Sequence, residues 1–316
     1  MDTEILSPDT SGFARAATVL NDGGLVSFPT ETVYGLGADA RQDTAVARIF
    51  EAKNRPSFNP LIVHVADVAA AKRYVHWTDD IADRMAAAFW PGPLTLVLPL
   101  RDDSGLSPLV TANLKTLAIR VPANPVAQAL LRAFDGPVAA PSANPSGKIS
   151  PTHAQHVING LSGRIEAVVD GGECGVGVES TILGVFDAPI LLRPGGLPLE
   201  AIEAALGQPV ATRSEVDPLT APGQMLSHYA PGASVRLNAV EVTLGERLLG
   251  FGKVDNAVLN LSKSGDLTEA AANLFHYLHA LDADGDAPIA VSPIPDHGLG
   301  RAINDRLRRA AAPRES

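Results

Sequence analysis

The 316-residue chain contains a single cysteine, Cys174, and this scarcity excludes several classes of protein. One cysteine cannot form an intrachain disulfide framework, nor a zinc site that depends on several cysteine ligands. It suits a reducing compartment, so we expect a cytoplasmic location. The first residues are acidic and are followed by no apolar segment, so we expect no secretion signal.

Basic charge and aromatic residues are also scarce. The formal net charge is −10, and aromatic residues make up 5% of the chain. Proteins that bind nucleic acid over a broad surface usually present a basic stripe with interleaved aromatic side chains. The composition argues against such a surface, although it is compatible with a local basic cleft. No apolar run approaches the ~20 residues that span a bilayer, so we expect no contact with a membrane.

The chain does contain alternating helical and strand-like segments. The runs 25–28 and 61–65 are short and mostly apolar, whereas 43–52 repeats its apolar residues at helical spacing. Short apolar strands between helices are typical of an α/β fold with a largely covered sheet. The same alternation at the C-terminal end predicts a smaller α/β domain.

A change in composition near Gly207 divides the chain. Residues 208–232 hold four prolines and show no apolar period, which predicts a linker. We therefore predict a catalytic domain over 1–207, a linker over 208–232 and a smaller domain over 233–316. The linker carries apolar and aromatic side chains, so we expect it to lie on a surface of the protein. It would act as a lid, or it would merely pack between the domains.

Polar residues cluster where two predicted strands end. Pro29–Gly37 follows the apolar run 25–28 and holds two threonines, a carboxylate, a tyrosine and two glycines. Ala140–Gly147 leaves another strand as a turn rich in hydroxyl and amide groups. Such exits carry the sites of many α/β proteins. Gly, Pro, Ser and Asn are also ordinary turn formers, so each stretch alone is compatible with a simple turn.

Lys53 and Arg55 form a cationic pair at the end of the predicted helix 43–52. Positive charge there complements the helix dipole, which is one explanation for the pair. Phosphate binders also need such a pair, because Arg offers a forked donor and Lys a compact point charge. Prolines keep the following residues irregular, next to the strand that carries His64. Together with the two polar stretches, the pair predicts an anion-binding site.

These features resemble those of the threonylcarbamoyl-AMP synthases, the YrdC-like enzymes of tRNA N6-threonylcarbamoyladenosine formation. The resemblance is carried by Pro29–Gly37, Lys53-x-Arg55, Arg120, Ser142-x-Asn144, Glu179-Ser180-Thr181 and Arg193-Pro194-Gly195. Residues 221–231 resemble the linker of the two-domain form, so the resemblance covers nearly the whole chain. It implies an N-terminal YrdC-like domain with a twisted mixed sheet and flanking helices, followed by a smaller Rossmann-like domain.

The resemblance also implies a nucleotidyltransferase whose substrates are L-threonine, bicarbonate and ATP. N-carboxythreonine would attack the α-phosphate of ATP, leaving threonylcarbamoyl-AMP and pyrophosphate. Downstream proteins would transfer the threonylcarbamoyl group to adenosine 37 of tRNA, and direct contact with tRNA stays open. Mg²⁺ is expected from the chemistry of ATP, with no ligands indicated. Such a reaction depends on positioned cations and backbone donors rather than on a protein nucleophile.

Residue roles follow from the resemblance, position by position. Lys53 and Arg55 would be the catalytic cations, and His228 and Tyr229 would belong to the lid. The residues expected to contact threonine are Thr32, His64, Arg120, Ala140 and Ser180. The residues expected to contact ATP are Arg55, Asn59, Thr116, Ser142, Asn144, Ser150 and Arg193. Without the resemblance, His64 would be explained equally well as a satisfied, half-buried histidine.

Three alternatives compete with this assignment. A Walker-type ATPase is disfavoured, because the sequence has no Gly-x-x-x-x-Gly-Lys-Ser/Thr motif. The carbamoyl-adenylate-forming domain of hydrogenase maturation shares the implied fold, but those proteins carry Cys-rich zinc modules, which one cysteine excludes. The third is an RNA-binding, translation-associated module of the same fold without catalysis. The acidic composition lacks the basic stripe expected of such a module.

Overall fold

A computed structural model describes residues 2–77, 80–213, 228–285 and 287–313. Its first region contains the strands β1 (Glu4–Leu6), β2 (Val26–Pro29), β3 (Tyr34–Asp39), β4 (Ile62–His64), β5 (Leu94–Pro99), β6 (Thr116–Arg120), β7 (Val138–Ala139), β8 (Ala167–Val169), β9 (Thr181–Val185), β10 (Pro189–Arg193) and β11 (Ala211–Thr212). Its helices are α1 (Thr10–Asn21), α2 (Asp43–Lys53), α3 (Val68–Ala71), α4 (Asp80–Phe89), α5 (Pro108–Thr111), α6 (Pro125–Phe134), α7 (Ala154–Leu161) and α8 (Leu199–Leu206).

The strands of this region form one mixed sheet, in the order β1-β8-β2-β3-β7-β4-β6-β5-β9-β10-β11. Neighbours pair in both directions: β4 runs parallel to β6, whereas β2 runs antiparallel to β3. The parallel pairing sets His64, at the end of β4, opposite Arg120, at the end of β6. The α/β class and the mixed sheet agree with the prediction, and the sheet brings two predicted site residues side by side.

The stretch Pro29–Gly37 is a hairpin rather than a polar turn followed by glycines. Pro29 ends β2, and β3 returns from Tyr34 with Gly35 opposite Phe28. Gly37 has no left-handed backbone. A β-carbon there would lie 2.9 Å from the ring of Phe28 and 2.8 Å from the side chain of Val138. The glycine therefore lets strands pack closely, so this half is a strand and not the simple turn that its composition alone allowed.

Two parts of the predicted linker 208–232 are built into the fold. Ala211–Thr212, the strand β11, pairs in parallel with β10 at the edge of the mixed sheet. At the other end, His228 and Tyr229 are buried. Residues 214–227 lie outside the described residues, so most of the segment expected to form the lid is not described. The predicted domain boundaries stay a prediction.

The C-terminal region is a smaller α/β unit. Its strands are β12 (Val235–Arg236), β13 (Arg247–Gly250), β14 (Leu259–Asn260) and β15 (Ile289–Val291), and its helices are α9 (Leu267–Ala283) and α10 (Gly300–Ala311). All strand pairs run parallel, in the order β12-β15-β13-β14, which agrees with the predicted Rossmann-like class. In the part of the chain that is described, no helix has the length and apolar character needed to cross a membrane.

The two regions are packed against each other through a common hydrophobic core. Val33, Ile149 and Val178 of the first region belong to the same buried cluster as Leu274 of α9. Gly177 has a φ of 76°, and a β-carbon there would lie only 2.3 Å from the Ala271 carbonyl oxygen of α9. Helix α9 therefore lies directly on the first region.

Candidate active site

A cavity lies between the turn of the β2–β3 hairpin, the ends of β4 and β6, and the segment at 228–229. The predicted site residues that line it are Thr32, Arg55, His64, Arg120, Ala140, Ser142, Ser180, Arg193, His228 and Tyr229. The predicted site residues that do not border it are Lys53, Asn59, Thr116, Asn144 and Ser150.

Arg120 is held in the cavity wall by three directed hydrogen bonds. Its Nη2 donates to Glu31 Oε1 at 2.5 Å, Nη1 to Thr32 Oγ1 at 3.0 Å and Nε to the Gly92 carbonyl at 3.1 Å. Burial raises the pKa of Glu31, but the Arg120 charge more than offsets this, so the pKa lies below its ordinary value. A guanidinium has five N–H donors. The contacts with described residues therefore leave two for a ligand.

His64 presents a neutral imidazole beside Arg120. Burial, and secondly the Arg120 charge, lower the pKa of His64 to about 3, so the ring is uncharged at pH 7. Its Nδ1 is buried and has no hydrogen-bond partner among the described residues. A neutral imidazole can donate from one nitrogen and accept at the other, so the part of the ring that borders the cavity is suited to a ligand hydroxyl or amine.

Arg193 and Ser180 form a second fixed group in the cavity wall. Arg193, at the end of β10, donates from Nη2 to the Ser180 carbonyl at 2.7 Å. The Ser180 hydroxyl lies 2.7 Å from Thr95 Oγ1. Burial lowers the pKa of Arg193, yet a guanidinium stays protonated in proteins. This wall therefore adds a second oriented cation to the cavity.

Lys53 and Arg55 point to different places. Asn54 has a φ of 51° and ends α2, so the chain turns between them. The Lys53 ammonium donates to the carbonyl oxygens of Ser142, at 2.6 Å, and of Asn144. Arg55 borders the cavity and donates from Nη2 to a backbone carbonyl at 3.0 Å. Burial, then the Arg55 charge, lowers the pKa of Lys53 well below its ordinary value. Lys53 therefore ties α2 to the loop that helps line the cavity.

The other predicted ATP contacts that do not border the cavity are held by neighbouring protein groups. The Ser150 hydroxyl donates to the carboxylate of Glu179, which itself lines the cavity. The Asn144 side-chain amide donates to carbonyls of its own loop. Asn59 accepts through its backbone carbonyl, and Thr116 begins β6 in register with Pro99. Direct contact of these residues with ATP stays a prediction.

His228 and Tyr229 border the cavity at the start of the described C-terminal part. Tyr229 is 1% exposed, and its ring centroid lies 5.6 Å from that of Phe275 in α9. The next residue, Ala230, donates its N–H to the Gly147 carbonyl at 2.9 Å. This segment therefore both lines the cavity and packs between the two regions, so the two alternatives for the linker are compatible.

Comparison with known proteins decides the family. One family model, described as telomere recombination, matches residues 18–195, and another, described as threonylcarbamoyl-AMP synthase C-terminal domain, matches residues 197–312. The chain is 42% identical to threonylcarbamoyl-AMP synthase of Bacillus subtilis, over 99% of this chain and 96% of that protein. The chain belongs to the threonylcarbamoyl-AMP synthase family. This confirms the resemblance and favours an enzyme, as predicted, over a non-catalytic RNA-binding module.

Other members of the threonylcarbamoyl-AMP synthase family match over similar lengths. The Pyrococcus abyssi protein is 42% identical over 94% of this chain and 93% of its own. A crystal structure of P. abyssi Sua5 complexed with L-threonine superposes with a TM-score of 0.90 at 39% identity, covering 98% of both chains. The similarity therefore extends through both regions and their arrangement.

Three residues at or near the cavity were given no role by the sequence analysis. Glu31 and Glu179 lie within recognised motifs, but only the structure shows that they pair with Arg120 and Arg306. Arg306 did have a signal. It stands on the apolar stripe of α10, three residues after Ile303, where a charged side chain needs a buried partner.

The described residues contain no group of three or more His, Cys, Asp or Glu side chains that could hold a metal ion. Glu179, which lines the cavity, already bonds Ser150 and pairs with Arg306. These residues do not fit a preassembled Mg²⁺ site. Mg²⁺ is commonly held through substrate phosphates and water.

Proposed function

We propose that the cavity forms threonylcarbamoyl-AMP and pyrophosphate from L-threonine, bicarbonate and ATP. One observation carries the proposal. Arg55, Arg120 and Arg193 all line this cavity, which is also bordered by the neutral ring of His64. Three cations in one cavity are suited to a ligand with several negative charges. Phosphoryl transfer depends on this kind of positioning and charge neutralisation.

The threonine subsite is assigned to the end of β6 and the hairpin turn. The two N–H groups that Arg120 does not use for protein contacts would take the threonine carboxylate in a forked pair. His64 and the hydroxyls of Thr32 and Ser180 would meet the amine and side-chain hydroxyl. Ala140 would border the threonine methyl group. Glu31 would keep the Arg120 fork in the plane that the carboxylate requires.

The ATP subsite is assigned to Arg55, Arg193 and the loop at Ser142. Burial lowers the pKa of Arg55 to about 10, so the guanidinium is charged at pH 7. A carboxylate oxygen of N-carboxythreonine would form a bond to the α-phosphorus. The bond from that phosphorus to the bridging oxygen would break, and pyrophosphate would leave with the electron pair. The guanidinium groups would neutralise the charge that grows on the leaving group.

We further assign His228 and Tyr229 to a lid that closes the cavity. Both side chains are buried and line it, and an adenylate is sensitive to water. Mg²⁺ would enter with the phosphates of ATP. Downstream proteins that modify tRNA would receive the product.

The test is pyrophosphate release by the purified full chain, with and without threonine and bicarbonate, with the adenylate identified by mass spectrometry. We expect release to require both. The variant Arg120→Gln should raise KM for threonine roughly 10- to 150-fold, since a hydrogen bond to a charged group contributes about 1.5–3 kcal/mol. Arg101→Gln is the matched control, because Arg101 pairs with Asp103 at the surface. No release of pyrophosphate under any of these conditions, together with binding of tRNA, would instead support the non-catalytic RNA-binding module.

A further inference from the structure

Arg306 of α10 connects the C-terminal region to the region that carries the cavity. Its side chain is 0% exposed. Nε donates to Glu179 Oε2 at 2.8 Å, and Nη1 donates at 2.8 Å both to the Pro194 carbonyl and to Asp305 Oδ2. Glu179 and Pro194 belong to the first region. One buried side chain therefore holds two points of the first region from a helix of the second.

Each of these points belongs to the cavity wall or adjoins it. Glu179 lines the cavity, and its other carboxylate oxygen accepts from Ser150. Pro194 follows Arg193, a cation of the proposed ATP subsite. The guanidinium carbon of Arg306 also lies 5.3 Å from the centroid of the Tyr229 ring, a distance typical of a cation–π contact. Arg306 thus touches two residues of the wall, Glu179 and Tyr229, and the residue next to a third, without bordering the cavity itself.

Stability alone does not explain this arginine. Taking a guanidinium out of water is unfavourable, and well-packed apolar residues often replace buried ion pairs without loss of stability. The Nη2 of Arg306 is buried and has no hydrogen-bond partner among the described residues. Burial lowers the pKa of Arg306, but Tyr229, Glu179 and Asp305 outweigh it and raise the pKa. A charged group is therefore retained on a buried helix face that also carries the apolar residues Ile303 and Leu307.

We propose that Arg306 is a positioning residue for the nucleotide side of the cavity, acting through Glu179 and the Arg193–Pro194 strand end. The inference rests on the proposed function. It makes α10 part of the site, so that the first region alone is incomplete. Ser180 of the proposed threonine subsite adjoins Glu179, but the pair of Glu31 and Arg120, which would hold the threonine carboxylate, is separate from these contacts. Loss of Arg306 should therefore affect ATP more than threonine.

The first experiment measures kcat and both KM values, with Tm, for wild type, Arg306→Gln, Arg306→Lys and Arg308→Gln. Arg306→Gln should raise KM for ATP roughly 10- to 150-fold, the worth of a charged hydrogen bond. KM for threonine should change by less than about 3-fold. Arg306→Lys should recover part of the ATP affinity, because an ammonium can pair with Glu179 but lacks the planar set of donors with which the guanidinium reaches several partners at once. Arg308 is exposed on the same helix, so its variant should match wild type.

A double-mutant cycle tests the route through Glu179 and covers the case in which Arg306→Gln does not fold. The double variant Glu179→Gln/Arg306→Gln removes both charges of this pair, and Asp305 keeps Arg309 as its partner, so it should fold. If Arg306 acts through Glu179, the double variant will bind ATP no more weakly than Glu179→Gln alone. Additive losses would overturn the proposal. So would an equal rise of both KM values with a fall in Tm, which is what a merely structural role produces.

The outcome for wild type separates this inference from the proposed function. If wild type shows no threonine-dependent release of pyrophosphate, the proposed function fails. If wild type is active and Arg306→Gln keeps the wild-type KM for ATP, the inference about Arg306 alone is wrong.

Discussion

Replacing Lys53 with methionine tests whether this residue acts on substrate or on the cavity wall. Its ammonium donates to the Ser142 and Asn144 carbonyls, at 2.6 Å for Ser142, and it does not border the cavity. Methionine is unbranched, similar in length and uncharged, so Lys53→Met removes both hydrogen bonds while filling the space. We expect the loop that carries Ser142 to shift and the protein to lose stability.

The magnitude follows from the two carbonyl groups. Each buried acceptor left without a donor costs about 1–3 kcal/mol, so the free energy of unfolding should fall by about 2–6 kcal/mol. Burial lowers the pKa of Lys53 well below its ordinary value, which means that burying the ammonium is unfavourable. The methionine variant does not carry this desolvation cost. The lower part of the range is therefore expected. A loss of about 2 kcal/mol corresponds to about 4–8 °C in Tm for a domain of this size.

Thermal unfolding and pyrophosphate release should be measured on the same samples of wild type, Lys53→Met and Lys148→Met. Lys148 is exposed in the loop that follows Asn144, so its variant controls for the loss of one positive charge. We expect Lys53→Met to unfold at a lower temperature and to lose activity, with Lys148→Met close to wild type. An unchanged Tm with complete loss of activity would refute the structural role and indicate that Lys53 acts directly on phosphate.

Three further predictions concern the substrates and the response to pH. Arg55→Ala should lower kcat/KM roughly 10- to 150-fold in a folded protein, since it removes a charged hydrogen bond; an unchanged rate would exclude a phosphate role. The kcat/KM for serine should be lower than that for threonine by a factor equivalent to roughly 1–3 kcal/mol, the contribution of one small apolar group; equal turnover would contradict the assigned pocket. Lowering the pH from 7 to 4.5 should lower Tm, because two partly buried histidines resist protonation in the folded protein. Burial, followed by the charges of neighbouring histidines, lowers the pKa of His156 to about 3, and burial lowers the pKa of His279 to about 4. Since the pKa of a histidine in the unfolded chain is about 6.5, the unfolded chain binds more protons in this window, and the free energy of unfolding decreases as the pH is lowered; the double variant His156→Gln/His279→Gln should flatten the slope, and an equally steep slope would show that these rings are not responsible.

Local patterns were sufficient for part of the fold and of the site. Short apolar runs followed by polar residues predicted the strands that end near His64 and Arg120, because a strand exit is a local signal. The second half of Pro29–Gly37 could not be assigned in this way. Glycines that alternate with apolar residues suit a turn as well as a strand, and only pairing with β2 and β7 makes Tyr34–Asp39 a strand.

The sequence by itself therefore determined the α/β class, the family resemblance and a set of polar and cationic residues that meet at one cavity. Only the tertiary structure decided what individual charges do. Lys53 and Arg55 are two residues apart, yet one holds a loop and the other lines the cavity. Arg306 meets Glu179 across 127 positions of sequence. The physical reason is that a buried charge must be paired, and the partner within hydrogen-bond reach is set by folding rather than by spacing along the chain.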